Sequence, residues 1–142
     1  MNLKDYLIYG FDFIKEDSGY SVIADYLSGA TCGKTYEDAL VNAKAFILDN
    51  ALFYFQEGRL MPEARPLKDG QVSVNIGYDN ALKIMLRNLM TETRTRPAKL
   101  ASLLLISPQS LNQNLRFDKS TKLDTLAKAF EVLGKPLQIS VS

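Results

Sequence analysis

The polar residues in the C-terminal part of the chain have the types that reading DNA bases requires. A helix that starts at Ser107 and Pro108 would bury Leu111 and Leu115 and direct a polar set to its other side. Glutamine and asparagine can each form two hydrogen bonds with an adenine edge, and arginine can do so with a guanine edge. The candidate DNA-reading residues are Gln109, Ser110, Asn112, Gln113 and Arg116. The candidate phosphate contacts, which would fix register without reading sequence, are Lys99, Lys119 and Lys122.

Two short predicted helices with a tight corner between them would position this polar set. Pro97 suits the first turn of the first helix, where its missing N–H costs nothing. Ser107 is a hydroxyl N-cap for the second helix. Residues 105 to 107 join the two helices, and small Ala101 allows them to approach closely, so the spacing is that of a helix-turn-helix. Leu105 stands where such a corner usually has glycine, so an ordinary helix turn or a reshaped corner must replace it.

A plain helical bundle is the alternative interpretation of these residues, because any exposed helix displays Gln, Asn and Arg. The distribution of charge favours DNA. Residues 1 to 77 contain 7 Lys and Arg against 11 Asp and Glu, a net charge of −4, and residues 78 to 142 contain 10 against 5, a net charge of +5. A basic half favours a polyanionic partner, and an acidic half favours a cationic partner or solubility.

The missing residue types exclude several kinds of catalytic and metal site. The chain has no histidine and one cysteine, so an imidazole base, a disulfide within the chain and a thiolate metal cage are all excluded. We interpret Cys32 as a small strand residue. A nuclease in which Asp12 and Asp25 hold Mg²⁺ is a second hypothesis, but four short strands are too few to assemble the usual carboxylate cluster. We therefore expect no enzyme, no metal and no cofactor.

Alternating apolar residues predict a three-stranded meander followed by a long helix in the acidic half. The strands are predicted at 6–14, 20–26 and 30–34, with a hairpin loop at 15–19 and a turn at 28–29. Thr35 is predicted to cap a helix of ~22 residues that Gly58 ends, and Asp38 has the spacing of its capping-box partner. Alternation at 72–76 predicts a fourth strand, which completes a β-β-β-α-β order.

Helices dominate the remainder of the chain. Apolar stripes predict a helix over 79–92, then the two helices of the corner. Thr121 and Asp124 have capping-box spacing for a last helix that ends at Gly134, and alternation favours a terminal strand at 137–141. The 142 residues thus predict an α+β protein with two units, residues 1–77 and 78–142. No apolar run approaches the ~18 residues of a membrane span and the first residues show no signal pattern, so we expect a cytoplasmic protein without a membrane partner.

The order of several short motifs resembles the HicB-type antitoxins. The motifs are Gly19-Tyr20, Ala24-Asp25-Tyr26, Thr31-Cys32-Gly33-Lys34-Thr35, Glu37-Asp38-Ala39 and Asn42-Ala43-Lys44, followed by Leu60-Met61-Pro62 and Leu133-Gly134-Lys135. The resemblance covers the chain from about Tyr6 to Val141. Many relatives have Pro-Asp-Leu-Pro-Gly before the third strand, whereas this chain has Asp-Tyr-Leu-Ser-Gly at 25–29.

The resemblance implies a partial RNase H-like fold for residues 1–77, which would bind and block a HicA-type toxin, a small RNA-cleaving protein. It also implies that residues 78–142 form a DNA-binding unit, similar to the phage-repressor helix-turn-helix, which represses the operon as a homodimer or higher oligomer. The candidate toxin contacts are Asp25, Tyr26 and Glu37. The carboxylates of Asp25 and Glu37, together with that of Asp38, would face basic residues of the toxin.

A repressor that responds to a small ligand and has no toxin partner is the alternative function. Tyrosines and phenylalanines are plentiful between positions 6 and 55 and could line a pocket, although such residues more often form a core. Symmetric operators favour a dimer, which the 137–141 segment could form by pairing with its copy across a two-fold axis.

Overall fold

Four antiparallel strands form one sheet in the N-terminal half of the computed structural model, which describes residues 1–142. After a 3-10 turn at Leu3–Tyr6, the strands are β1 (Ile8–Glu16), β2 (Gly19–Ile23), β3 (Thr31–Gly33) and β4 (Val72–Asn75). Their order across the sheet is β3-β2-β1-β4. A tight turn joins β1 to β2 and places Glu16 opposite Gly19, while the other edge of β1 pairs Ile8 with Asn75. The predicted meander and fourth strand are confirmed.

A long helix, α1 (Tyr36–Gln56), covers one face of this sheet and contacts β2, β3 and β4. Tyr9 and Phe11 of β1 are fully buried, whereas Ile8, Asp12 and Ile14 lie on the open face, as alternation along a strand requires. The Oγ1 atom of Thr35 accepts a hydrogen bond from the Asp38 backbone N–H at 3.1 Å, which confirms the predicted N-cap. Gly58, with a φ of 68°, follows the helix end as predicted.

Gly33 allows the start of α1 to lie against β3. A Cβ atom at this position would lie 2.3 Å from the backbone nitrogen of Ala39, so no other residue type fits without moving the helix. The side-chain amide of Asn42 stabilises the contact between α1 and β3, because it donates a hydrogen bond to the backbone carbonyl of Cys32 at 2.7 Å. The β3–α1 junction is therefore rigidly packed.

The central helix of the molecule is α2 (Tyr78–Glu92), which contacts the 3-10 turn, α1 and the last helix. It is buried on nearly all sides, and its buried residues include the polar Asn80, Lys83 and Asn88. The 29 buried apolar residues of the chain form one continuous core that extends through both halves. The boundary after residue 77 falls where α2 begins, and the division into two units stays a prediction.

Three further helices complete the fold: α3 (Pro97–Leu103), α4 (Pro108–Leu115) and α5 (Leu123–Val132). Contacts join α3 to both α4 and α5. Ser107 caps α4 as predicted, since its Oγ accepts a hydrogen bond from the Ser110 backbone N–H at 3.1 Å. None of the helices combines the length and the apolar character that crossing a membrane requires. The α+β class expected from the sequence is confirmed.

The corner between α3 and α4 retains a glycine-like backbone although its residue is a leucine. Leu105 has a φ of 57°, in the left-handed region. Its N–H donates to the carbonyl of Ser102 at 3.1 Å, and the N–H of Ile106 donates to that of Ala101 at 3.0 Å. This pair of bonds is a Schellman motif with leucine in the glycine position. The expectation that a different turn would replace it is wrong.

Four local predictions differ from the structure. The hairpin loop predicted at 15–19 is reduced to residues 17 and 18, because β1 extends to Glu16 and pairs it with Gly19 of β2. β2 ends at Ile23 rather than at residue 26, because the chain turns and the Leu27 N–H bonds the Ala24 carbonyl. Thr121 does not cap α5, because the N-cap of that helix is Lys122. The Thr121 hydroxyl donates instead to the Asn114 carbonyl at 2.9 Å.

The predicted terminal strand at 137–141 is absent. Leu137 packs against the core, but Ile139 and Val141 are exposed and no strand of this chain pairs with the segment. The backbone N–H and C=O groups of a strand need a neighbouring strand as their hydrogen-bond partner. An alternating pattern of side chains therefore does not form a strand without such a neighbour.

Candidate nucleic-acid interface and partner surface

The exposed side of α4 presents the polar set that the sequence predicts. Leu111 and Leu115 are buried on the inner side, and the outer side carries a stripe at intervals of three and four residues. The stripe consists of Gln109, Asn112, Gln113 and Arg116, all of which are exposed. Long amide side chains thus project from one face of a helix of 8 residues whose N-terminus is capped, and the guanidinium of Arg116 follows immediately after its last residue.

Two residues of this stripe already have partners within the chain. The Lys119 ammonium donates to Oε1 of Gln113 at 2.6 Å, and the Arg116 guanidinium bonds both carboxylate oxygens of Asp118, at 2.8 and 2.5 Å. The hydrogen bond between Arg116 and Asp118 raises the pKa of Arg116 and lowers that of Asp118. Exposed pairs of this kind contribute little free energy, so a phosphate or a base edge can replace Asp118 as the partner of Arg116.

Ser110 differs from the other candidates because it takes part in the cap. Its N–H donates to Oγ of Ser107, and its own Oγ accepts a hydrogen bond from the Ser107 hydroxyl at 3.0 Å. Ser110 is exposed, and its hydroxyl oxygen already accepts a hydrogen bond from Ser107. Any contact of Ser110 with DNA would therefore share the hydroxyl with the cap.

The candidate phosphate contacts are exposed, as that role requires. Lys99 lies in α3, Lys119 in the α4–α5 loop and Lys122 at the start of α5. Arg94 and Arg96, which the sequence analysis did not single out, are also exposed immediately before α3. The signal for them was present in the sequence, since both belong to the polar stretch that precedes Pro97.

The three candidate toxin contacts lie in two different settings. Asp25 is exposed but paired, with Arg65 at 3.8 Å and Lys68 at 3.4 Å. Tyr26 is half-buried: its ring stacks on Tyr9 with centroids 6.5 Å apart, and the Arg65 guanidinium lies 4.9 Å from its centroid. Burial raises the pKa of Tyr26. The structure thus brings Asp25 and Tyr26 together around Arg65.

Glu37 lies apart from this cluster in sequence, in the first turn of α1, where it is exposed. A carboxylate at a helix N-terminus interacts favourably with the helix dipole, which is a structural role for Glu37 in the absence of any partner. Its carboxylate forms no ion pair within the chain, in contrast to that of Asp25.

The open face of the sheet is a surface that the sequence analysis missed. Ile8 and Ile14 of β1 are exposed there, on the same face as Asp12 and Glu16. Alternation along β1 could have revealed them, because every second residue of a sheet with a helix on one side only must face away from that helix.

The aromatic residues of the N-terminal half pack against one another rather than around a ligand cavity. Phe11 contacts Phe46 edge to face with centroids 6.2 Å apart, and Phe13, Tyr20 and Tyr36 form a cluster with centroids 5.4 to 6.4 Å apart. Burial raises the pKa of Tyr9 well above its usual value. This arrangement favours the core interpretation of these side chains over a ligand pocket.

Comparison with known proteins decides the family. No protein-family model matches the chain. The protein named Antitoxin HicB 2 from Photorhabdus laumondii subsp. laumondii is 35% identical over 132 residues, which are 92% of this chain and 94% of that protein. This chain belongs to the HicB antitoxin family. HicB relatives at lower identity agree: Antitoxin HicB 1 of the same organism is 28% identical over 127 residues, 89% of this chain and 81% of that protein. Antitoxin HicB of Escherichia coli (strain K12) is 27% identical over 124 residues, 87% of this chain and 90% of that protein.

The HicB resemblance stated from the motifs is therefore confirmed, and with it an antitoxin role in a toxin-antitoxin system. The names of the relatives do not say which residues act. The DNA-reading set on α4 and the toxin contacts at Asp25, Tyr26 and Glu37 stay predictions.

Proposed function

We propose that this HicB-family antitoxin neutralises a HicA-type RNA-cleaving toxin through residues 1–77 and represses its own operon through a helix-turn-helix formed by α3 and α4. In this proposal the chain acts by binding, without catalysis, metal or cofactor. The single observation that carries the DNA-binding half is the exposed polar stripe on the capped α4, opposite the buried Leu111 and Leu115. Family membership carries the antitoxin half.

The DNA-binding half has support from helix packing and from charge. α3 packs against α4 across the Leu105 corner, which leaves the outer side of α4 free to enter a major groove. Exposed cations lie before α3, on α3 and after α4, where they can reach phosphates on either side of the groove; they are Arg94, Arg96, Lys99, Lys119 and Lys122. The net charge of +5 on residues 78–142 favours the same partner.

The toxin-binding half has support from the acidic character of residues 1–77, which carry a net charge of −4. We propose that this unit is a partial RNase H-like fold, in agreement with its β-β-β-α-β order. Glu37, Asp25 and Tyr26 are the proposed toxin contacts. The open sheet face extends them, because its exposed isoleucines lie beside Asp12 and Glu16 and so suit a basic protein with apolar side chains.

We further propose that the chain binds its operator as a homodimer. Two copies of α4 one DNA turn apart would double the base contacts on a symmetric site. The exposed Ile139 and Val141 have no partner in the chain and are available to pair with a second copy. Deleting residues 137–142 should then convert dimers to monomers in sedimentation. A truncated chain that remains dimeric would place the dimer contact elsewhere.

Co-expression with the small open reading frame next to the gene tests the antitoxin half of the proposal. Rescue of growth and co-purification of a stable complex are the expected results. A harmless neighbour that does not bind would contradict the toxin assignment, and a repressor that responds to a metabolite would then be the better description.

A matched variant separates the two activities in the same strains. Gln113→Ala should retain growth rescue while losing repression of a reporter that is driven by the promoter of the operon. Gln56→Ala, a change at an exposed glutamine at the end of α1, should retain both. Loss of rescue by Gln113→Ala would mean that α4 takes part in toxin binding.

A further inference from the structure

Lys83 is a completely buried lysine whose ammonium group is fully hydrogen-bonded. Its side chain has 0% exposure. Its Nζ atom donates to Oδ2 of Asp79 at 3.0 Å, to the backbone carbonyl of Arg116 at 2.6 Å and to that of Lys119 at 2.5 Å. An ammonium group has three N–H donors, so none is left without an acceptor. A buried cation is costly unless it is paired in this way, so the backbone at 116–119 must hold its position around Lys83.

Arg87, one turn further along α2, holds the adjoining part of the chain. Its Nη2 atom donates to the backbone carbonyl of Leu115, the last residue of α4, at 3.1 Å. The centre of its guanidinium lies 4.8 Å from the ring centroid of Phe55 and 5.3 Å from that of Phe117. Burial lowers the pKa of Arg87 to about 10, so the group stays charged at neutral pH. One side chain therefore contacts α1, through Phe55, and the end of α4.

The bond from Arg87 reaches the last carbonyl of α4, at Leu115, and the bonds from Lys83 reach the carbonyls of Arg116 and Lys119 in the segment that follows the helix. The last carbonyls of a helix have no partner within it and carry a partial negative charge. Arg87 therefore supplies an N–H donor and positive charge to the end of α4, while Lys83 holds the chain just beyond it. The same backbone carries the side chains of Arg116 and Lys119, and Lys119 in turn bonds Gln113. The placement of three proposed DNA contacts thus depends on α2.

We infer that Lys83 and Arg87 form a positioning clamp, which fixes the end of α4 relative to α2 and thereby sets the discrimination between operator and other DNA. Neither residue touches DNA in this inference, which rests on the proposed DNA-binding function. A clamp of this kind acts on base reading more than on phosphate attraction, because a small rotation of α4 misaligns bidentate base contacts while flexible lysines still reach the backbone.

The test compares Arg87→Met with wild type on two labelled duplexes at one salt concentration. One duplex carries the promoter region of the operon, and the other is a scrambled sequence of equal base composition. We expect Arg87→Met to bind the promoter duplex at least tenfold more weakly and the scrambled duplex within twofold of wild type. Arg87→Lys, which keeps a charged donor, should restore the ratio of the two affinities to within threefold.

Arg59→Met is the matched control, since the Arg59 guanidinium also lies over a ring, 4.8 Å from the centroid of Tyr54, but makes no hydrogen bond to α4. It should leave the ratio unchanged. An unchanged ratio in Arg87→Met, or equal losses on both duplexes, would overturn the clamp. Failure of Arg87→Lys to restore the ratio would also overturn it, because a cationic donor would then not be the active feature.

Hydrogen exchange of the free protein gives a second readout that does not involve DNA. Arg87→Met should raise exchange at residues 112–120 at least tenfold and leave the first half of α1, which is remote from Phe55, unchanged. A uniform rise in all helices would reveal general destabilisation and overturn the clamp. If wild type binds both duplexes equally, the proposal of operator recognition fails. The exchange pattern alone then tests whether α2 holds the end of α4 in place. If Arg87→Met does not fold, Phe117→Leu replaces it in this experiment. Phe117→Leu removes one ring and no hydrogen bond, so it should raise exchange at the same residues by a smaller factor.

Discussion

The side chain of Asn88 bonds both backbone groups of Met61, a residue 27 positions earlier. Its Oδ1 accepts from the Met61 N–H at 2.8 Å, and its Nδ2 donates to the Met61 carbonyl at 3.0 Å. Both residues are buried, at 3% and 2% exposure. The loop between α1 and β4 is thus held against α2 by one amide that imitates the pairing of a strand.

Asn88→Ala should destabilise the fold by about 2–4 kcal/mol, because two buried backbone groups lose their partners. Urea unfolding measures the free-energy change. Asn42→Ala is the control: Asn42 is exposed and makes one bond, to the Cys32 carbonyl, so its loss should cost about 1 kcal/mol or less. Equal costs for the two variants would mean that water replaces Asn88 at Met61.

Leu105→Gly should stabilise the protein by about 0.5–1 kcal/mol. Leu105 has a φ of 57° and is 91% exposed, so glycine relieves left-handed strain and removes no packing, at some cost in the entropy of the unfolded chain. Thermal and urea unfolding both measure the effect.

Gly134→Ala provides the opposite case for the same argument. Gly134 follows α5 with a φ of 84°, and a Cβ there would meet no atom within 4 Å, so the substitution should cost about 1 kcal/mol through the backbone alone. The prediction for Leu105 is contradicted if Leu105→Gly lowers the free energy of unfolding. That result would show that the leucine side chain contributes to the fold despite its exposure.

Gln113→Ala should cost ~1–3 kcal/mol of binding free energy on the promoter duplex and little on a scrambled duplex, as expected for a residue that reads bases. Fluorescence anisotropy at fixed salt measures both affinities, and Gln56→Ala is the control. Equal losses on the two duplexes would show that Gln113 only positions the DNA backbone.

Lys99→Ala should weaken binding to both duplexes alike and reduce the slope of log affinity against log salt by about 1, because it removes one phosphate contact. Lys44→Ala, at an exposed lysine of α1, should leave the slope unchanged. A loss confined to the promoter duplex would instead assign Lys99 to base reading.

Glu37→Lys should weaken toxin binding roughly tenfold at low salt, mainly through slower association, and the effect should shrink as salt rises. Surface plasmon resonance with the co-purified toxin measures both rates. Glu57→Lys, at the opposite end of α1, makes the same change of charge and should have little effect. Wild-type association by Glu37→Lys would remove Glu37 from the toxin contacts.

The regular elements were predictable because their signals are local. Thr35 and Ser107 cap their helices by accepting a hydrogen bond from the N–H three residues further along, and alternating side chains mark the strands. The exposed stripe on α4 follows from the same periodicity, once Leu111 and Leu115 are assigned to the core. The family followed from the order of short motifs.

Contacts between distant residues were not predictable in the same way. Thr121 has the spacing of a cap, yet the Asn114 carbonyl takes its hydroxyl because the folded loop brings the two within 2.9 Å. The alternating pattern at 137–141 indicates a strand, but a strand requires a partner and the chain provides none.

The sequence by itself determined the α+β class, the two caps and the polar surface of α4, since each depends on neighbours within about one helical turn or strand pair. Only the tertiary structure decided that Lys83 and Arg87 face the carbonyls at the end of α4, and that Asp25 is already paired with Arg65 and Lys68. A lysine in a helix is ordinarily solvated, and only packing on every side turns it into a buried donor. Whether a charge is free for a partner is therefore settled by the folded neighbours rather than by the residue type.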